Sequence, residues 1–227
     1  MKVSIIITNY NLSKYLGTCL RSCIDQTLSR DQYEIIVVDD CSSDNSIELV
    51  RDIQENYGNI ELIALSENMG VSHASNIGIR KAKSPYVIRV DADDYINRNL
   101  LEFYSEILNW NPDICFVYGD IIVVNRIGEQ IERLRLNVIE NLFNHGAGIM
   151  FRKSCLEAVG LYDEELRNCE DYDLIKRIFK NFDGYYLRLP FYRYRRHDNN
   201  MTNNPDERMK WKQKVEDKHR MENDKGN

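Results

Sequence analysis

Hydrophobic positions in this chain fall into short unbroken runs, and stretches with helical spacing separate them. Residues 3–8, 34–38, 60–65 and 86–90 are apolar and rich in β-branched side chains, so each reads as a buried strand. Residues 13–26 instead place Tyr15-Leu16, Cys19-Leu20 and Cys23-Ile24 on one helical face, with Ser13 as a candidate N-cap. A second helix, capped by Ser43 or Asp44, carries Ile47, Val50 and Ile53, and a third spans about 71–83. Continuous apolar strands separated by helices predict a parallel sheet covered on both faces. Beyond it the pattern predicts a helix over 97–109, strands at 114–118 and 121–125, and a turn at Arg126-Ile127-Gly128-Glu129.

The second half is less regular. Residues 145–152 form a glycine-containing apolar segment, and 153–159 a short helix that Gly160 stops. Residues 171–181 have helical spacing with Leu174, Ile175, Ile178 and Phe179 as core candidates, and 185–194 alternate like a strand. After Pro205 the chain is highly charged, with a thin stripe of Met209, Trp211, Val215 and His219. The pattern predicts one domain over 1–204 and a tail over 205–227, a solvated or partner helix or a partly disordered segment.

Composition narrows the class. The chain has 227 residues, 43% hydrophobic and 29% charged, as expected of one soluble α/β domain. A net charge of -6 argues against a nucleic-acid partner. No apolar run approaches the roughly 20 residues of a membrane-spanning helix. The first strand follows Met1-Lys2 directly and is too short for a signal peptide, so a cytoplasmic location is expected. Cys19, Cys23, Cys41, Cys115, Cys155 and Cys169 form no C-x-x-C pair and read as small buried hydrophobes.

Polar clusters close the apolar strands. Thr8-Asn9-Tyr10-Asn11 ends the first, Asp39-Asp40 the second, and Asp91-Ala92-Asp93-Asp94 a later one. Ligands of open α/β sheets collect at the carboxyl ends of strands, so the three clusters converge on one crevice. Crowded carboxylates repel unless a cation or hydrogen-bond donors compensate. Hard cations such as Mg2+ are commonly shared between carboxylates and substrate phosphates; a plain acidic turn is the alternative. Asn68-Met69-Gly70, followed by Ser72, His73, Asn76 and Gly78, is either an ordinary loop or a helix entry whose N–H groups face a phosphate or sugar. Glu170-Asp171-Tyr172-Asp173 opens a helix, where acidic residues complement the dipole and Asp171 is a candidate general base. Arg193, Arg195, Arg196 and His197 form a basic run, suited to a diphosphate or a metal or simply a solvated edge.

Taken in order over residues 1–202, these segments resemble the family 2 glycosyltransferases. Ser22 to Thr27, Asp39-Asp40-Cys41-Ser42-Ser43-Asp44 and Gly160-Leu161-Tyr162-Asp163-Glu164 belong to the same ordered match. The resemblance implies an α/β GT-A fold, with a mostly parallel central sheet flanked by helices. Residues 1–95 would form a Rossmann-like nucleotide-binding half, and 96–204 the acceptor-binding half with the catalytic base. It implies that Thr8, Tyr10 and Asn11 line the nucleotide pocket, and that Asp39 accepts a hydrogen bond from the base, typically uracil N3–H. Asn68, Gly70, Asn76, Ala92 and Glu170 would lie on the substrate side. Asp91 would sit near the ribose or donor sugar, and Asp93 on Mn2+ or Mg2+. His197 would stand near the metal or pyrophosphate, and Asp171 would be the base.

The activity so implied is inverting, metal-dependent transfer of one sugar from a nucleotide-sugar donor, with a bias toward UDP. The acceptor would be a hydroxyl of a glycan or lipid-linked molecule in surface polysaccharide synthesis. Peripheral contact with the inner face of the membrane and a homo-oligomer are both compatible with it, and residues 145–151 would shape the acceptor site. The chain departs from the family pattern at Cys41, where glycine is frequent, and at Ser72-His73-Ala74-Ser75-Asn76, where Ala-Arg commonly precedes the Asn. Arg208-Met209-Lys210-Trp211 does not fit the Q-x-x-R-W motif of processive synthases, so single transfer is expected. A dehalogenase-type phosphotransferase would need D-x-D after the first strand, and neither G-x-G-x-x-G nor Walker A occurs. The rival from another class is a non-catalytic nucleotide- or glycan-binding module.

Overall fold

The computed structural model describes residues 1–136, 146–198 and 200–225. Four apolar runs form β1 (Val3–Asn9), β2 (Tyr33–Asp39), β3 (Ile60–Ala64) and β4 (Tyr86–Asp91). Helices α1 (Ser13–Ile24), α2 (Ser46–Gln54) and α3 (Val71–Lys81) connect them. The strands pair in parallel in the order β3-β2-β1-β4. Ile5, Ile6, Ile7, Ile35 and Ile36 are buried, so both faces of the sheet are covered. Right-handed crossovers put α1 and α2 on one face and α3 on the other. Gly78 lets α3 approach closely, since a Cβ there would stand 2.3 Å from Ile6 Cγ2.

The sheet continues through shorter elements: β5 (Tyr95–Ile96), α4 (Leu100–Trp110), β6 (Ile114–Val124), β7 (Gln130–Leu134), β8 (Met150–Arg152), α5 (Lys153–Ala158), α6 (Glu170–Asn181) and β9 (Asp183–Arg195). Its order is β3-β2-β1-β4-β8-β6-β9-β5, with β7 on β6. Beyond β4 the sheet is mixed: β8 runs antiparallel to β4 and β6, β9 parallel to β6, and β5 antiparallel to β9. The expected parallel sheet is thus the first half only, β1 to β4. The two strands expected around Gly119-Asp120 are one strand, β6. A buried aspartate reads as a break, but Arg133 pairs with Asp120 at 2.6 Å, and Tyr186 Oη and the Leu136 N–H donate to it.

Two expectations change. Cys115 and Cys155 are joined as a disulfide between β6 and α5, so they are not free core thiols. Cys19 and Cys23 are buried and free. The charged tail is α7 (Pro205–Lys225), and it packs on α6 instead of standing in solvent. Its apolar stripe is indeed thin: Val215 is fully buried, whereas Met209 is exposed. Charge supplies the rest. The buried Asp173 carboxylate meets Arg177 at 2.6 Å, His219 Nε2 at 2.9 Å and Lys218 Nζ at 3.1 Å, and Lys176 meets Glu216 at 2.7 Å. Among the described residues no helix is long and apolar enough to cross a membrane.

Burial by itself would raise the Asp173 carboxyl. The His219 hydrogen bond and the charges of Arg177 and Lys218 outweigh it and hold the group well below the usual carboxylate range. A depressed folded-state pKa contributes stability above the unfolded value and loses it as pH falls. We therefore expect Asp173→Asn to cost about 3 kcal/mol at neutral pH. In urea melts it should also flatten the loss of stability below about pH 4.

Candidate active site

Parallel register decides where the polar strand ends meet. Thr8 lies opposite Val38 on one side and Asp91 on the other, and Asn9 opposite Asp39. The carboxyl ends of β1, β2 and β4 thereby open into one cleft of about 580 Å³. Its walls include Thr8, Tyr10, Asn11, Asp40, Asn68, Gly70, Asp91, Ala92 and Asp93 from the first half. Gly146, Ala147, Glu170, Asp171 and Tyr172 come from the second, and Arg208 and Lys212 from α7. Of the expected residues, Asp39, Asn76 and His197 do not line it.

The loops around the cleft are tied by their own polar groups. Asp39 accepts from Ser42 N at 2.8 Å, Ser42 Oγ at 2.7 Å and Asn9 Nδ2 at 2.6 Å, behind the cleft wall. Asn11 Oδ1 accepts from Ser43 N at 2.8 Å. Cys41 has φ 66°, a left-handed conformation that explains why glycine suits that position. The Met69 and Gly70 N–H groups do not face a ligand: they donate to Asp40 Oδ1 and Oδ2 at 2.7 and 2.8 Å.

Asn76 is a structural clasp. Its side chain donates to Tyr162 O at 2.9 Å and Glu164 Oε1 at 2.8 Å, and accepts from Tyr162 N at 3.0 Å. His73 pairs with Glu164 Oε2 at 2.6 Å. The Gly160–Glu164 motif thus anchors the loop leading to α6, and α3 holds it. The arginines of the basic run are structural too. Arg195 Nε donates to Asp93 O at 2.8 Å and its guanidinium stacks on Tyr15 and Tyr95, while Arg196 pairs with Glu132.

The acidic stretch divides into two jobs. Asp94 is buried, accepting from Arg195 N at 2.8 Å and Tyr192 Oη at 2.7 Å, and so ties β4 to β9. Desolvation, then the charges of Asp93 and Asp91, raise its carboxyl well above the usual range. Asp93 lines the cleft, with His197 Nε2 at 2.9 Å and Asn200 Nδ2 at 3.3 Å from Oδ2. Among the described residues no three acidic, histidine or cysteine side chains form a metal cage. A carboxylate with an adjacent imidazole still suits a hard cation whose remaining ligands are phosphate oxygens and water.

Arg89 was not singled out in the sequence, yet it sits at the centre. It lies two residues before Asp91 on β4, on the same strand face. Its guanidinium reaches Asp91 Oδ1 at 3.0 Å, Glu170 Oε1 at 3.2 Å and Asp171 Oδ2 at 2.8 Å. The first is an ion pair with a bent N–H direction and the other two are hydrogen bonds. Among the described residues, the buried Asp171 Oδ1 has no hydrogen-bond partner. Gly146 packs against the same carboxyl, since a Cβ there would stand 2.2 Å from Asp171 Cγ. Cys169, just before α6, adopts φ 59°, so the turn presenting Glu170 and Asp171 is a strained one. His145 lies outside the described residues.

With this geometry in view, the comparisons are decisive for family. The model of "Glycosyl transferase family 2" matches residues 4–160. The chain belongs to that family. It is 39% identical over 107 residues to a poly(ribitol-phosphate) beta-glucosyltransferase of Bacillus spizizenii, covering 46% of this chain and 17% of that protein. It is 29% identical over 203 residues to the teichoic acid poly(glycerol phosphate) polymerase of Staphylococcus epidermidis, covering 84% of this chain and 28% of the relative. The chain therefore spans a minor part of these curated relatives. Among solved structures, S. aureus TarS 1–349 in complex with UDP-GlcNAc superposes with a TM-score of 0.80 at 22% identity, covering 95% of this chain and 65% of that one. That likeness shows the GT-A fold.

Burial, and then the Asp171 charge, raise the Glu170 carboxyl to about 7. A raised folded-state pKa gives stability that is full below the unfolded value and lost as pH rises through the folded one. We expect stability to decline between about pH 4.5 and 7, and Glu170→Gln to remove much of that slope in denaturant titrations across this range.

Proposed function

We propose that this domain transfers a sugar, with inversion, from a nucleoside diphosphate sugar, a UDP-sugar by preference, to an acceptor hydroxyl. The observation that carries the reading is the Asp171 carboxylate. Arg89 holds one of its oxygens, and the other is buried with no partner among the described residues, on a residue that lines the same cleft as Asp93. A general base needs a free, fixed acceptor atom within reach of the proton it removes. Thr8, Tyr10 and Asn11 form the nucleoside end, with Asp39 fixing Asn9 and Ser42 behind them.

Asp93 with His197 would hold Mn2+ or Mg2+, and a bound cation there supplies charge stabilisation for the departing diphosphate. The protein's own part is positioning. Asp171 takes the acceptor proton as that oxygen attacks the anomeric carbon from the face opposite the leaving group. Asp91 stands on the donor side, bound to Arg89. One base and one displacement invert the anomeric centre.

The named relatives act on polyol-phosphate or teichoic polymers. A glycan or polymer hydroxyl in surface polysaccharide synthesis is the acceptor class we favour. Peripheral work at the inner membrane face accords with an acceptor on a lipid carrier. The binding-module alternative gives no purpose to an Asp171 oxygen that is fixed and has no partner among the described residues.

In a UDP-sugar panel with Mn2+, Asp171→Asn should lower turnover by about a thousandfold and leave donor affinity nearly unchanged by calorimetry. Asp93→Asn should instead abolish metal-dependent UDP binding. Retained turnover in Asp171→Asn would refute the base assignment, and donor binding without turnover by the native protein would favour the module.

A further inference from the structure

We propose that Arg89 is a positioning residue: it fixes the Asp171 carboxylate for proton abstraction and couples it to the donor-side Asp91. The proposal rests on the transferase reading above. Its basis is geometric. The Arg89 side chain is 6% exposed, and its three nitrogens face three carboxylates from two elements, Asp91 on β4 and Glu170 and Asp171 on α6. The guanidinium carbon lies 5.2 Å from the Tyr162 ring centre. The Arg89 carbonyl accepts the Gly148 N–H at 3.0 Å, which fixes the strand beneath the side chain. Asp171 is gripped from both sides, by Arg89 through Oδ2 and by the Gly146 backbone against its carboxyl carbon.

A guanidinium stays charged throughout the pH range of a working enzyme, and its planar fork fixes direction as well as charge. It therefore performs two separable tasks at Asp171. It supplies the one positive charge in contact with the carboxylate beside Glu170 and Asp91, and it fixes the direction of the carboxyl group. Lysine keeps the charge and loses the fork: one ammonium on a flexible stem cannot occupy three directions at once. The groups facing Asp171 are Arg89 and Asp91 from β4, Glu170 from its own helix and Tyr162 from the preceding loop, with Arg208 and Lys212 from α7 on the same cleft. Arg89 is the cation in direct contact. Loss of that contact shifts the balance toward the protonated acid, because the neighbouring carboxylates then act unopposed.

The test is the pH profile of kcat/KM for Arg89→Lys and Arg89→Gln. The acid limb should move up by about 0.5 unit or more in Arg89→Lys, and by about 1 unit or more in Arg89→Gln. In both, kcat should fall at least about tenfold while donor KM changes less than about threefold. A bystander that only supports the fold would lower stability and leave the limb in place. Carboxyl 13C titration reads the same shift without turnover, with the Asp171 signal assigned by its absence in Asp171→Asn. Where a single variant does not fold, the pair with Glu170→Gln, which removes one stranded buried carboxylate, carries both measurements. Profiles and titrations that superpose on those of the native protein overturn the positioning role. A native protein that turns over no donor overturns the transferase reading instead, and the carboxyl titration still decides the role of Arg89 as the charge partner of Asp171.

Discussion

Arg89 brings one buried positive charge to three carboxylates at the wall of the cleft, and the arrangement around it follows from that imbalance. Desolvated charges of one sign repel strongly, and a buried ion pair is costly to break because its partner is then stranded. The cluster is tolerable because the guanidinium faces Asp91, Glu170 and Asp171 together and because Glu170 is pushed up to about 7. What remains is a fixed Asp171 oxygen with no hydrogen-bond partner among the described residues, on a residue that lines the cleft. That oxygen is a liability for stability and, in the proposed mechanism, an asset for proton transfer.

The rest of the site holds these two elements in register. β4 carries Arg89 and Asp91, and α6 carries Glu170 and Asp171. The contacts that bind one to the other lie on all sides: Asn76 and His73 of α3 clasp the Tyr162–Glu164 loop, Asp94 ties β4 to β9, and Asp173 ties α6 to α7. Polar residues that resemble ligand contacts in the sequence are therefore often fasteners. Asp39 and Asp40 spend their oxygens on Ser42, Asn9, Met69 and Gly70, and the precision of the cleft derives from those bonds.

The parallel half of the fold was legible because its strands are buried on both faces and its helices are amphipathic. Strand ends follow from strand positions, so Thr8, Asp91 and Asp93 were readable as neighbours. Asp171 was readable as a candidate base, but an acidic first turn has an ordinary explanation in the helix dipole, and the family resemblance was what favoured the functional reading. Arg89 was not readable, because an arginine inside an apolar strand carries no local sign of its partners, two of which lie more than eighty positions away. The mixed half hid its strands for related reasons. β6 contains a buried aspartate whose partners are Arg133 and Tyr186, and β5 is two residues long. α7 read as solvated because ion pairs on Asp173, and not an apolar stripe, hold it down.

Base and leaving group stand on opposite sides of the sugar in this account, so the stereochemical course is its most direct test. Proton NMR of the sugar first released or transferred from a UDP-sugar, recorded before mutarotation, reads that course. The account predicts an anomeric configuration opposite to that of the donor, with the signal lost in Asp171→Asn. A product that retains the donor's configuration would contradict it.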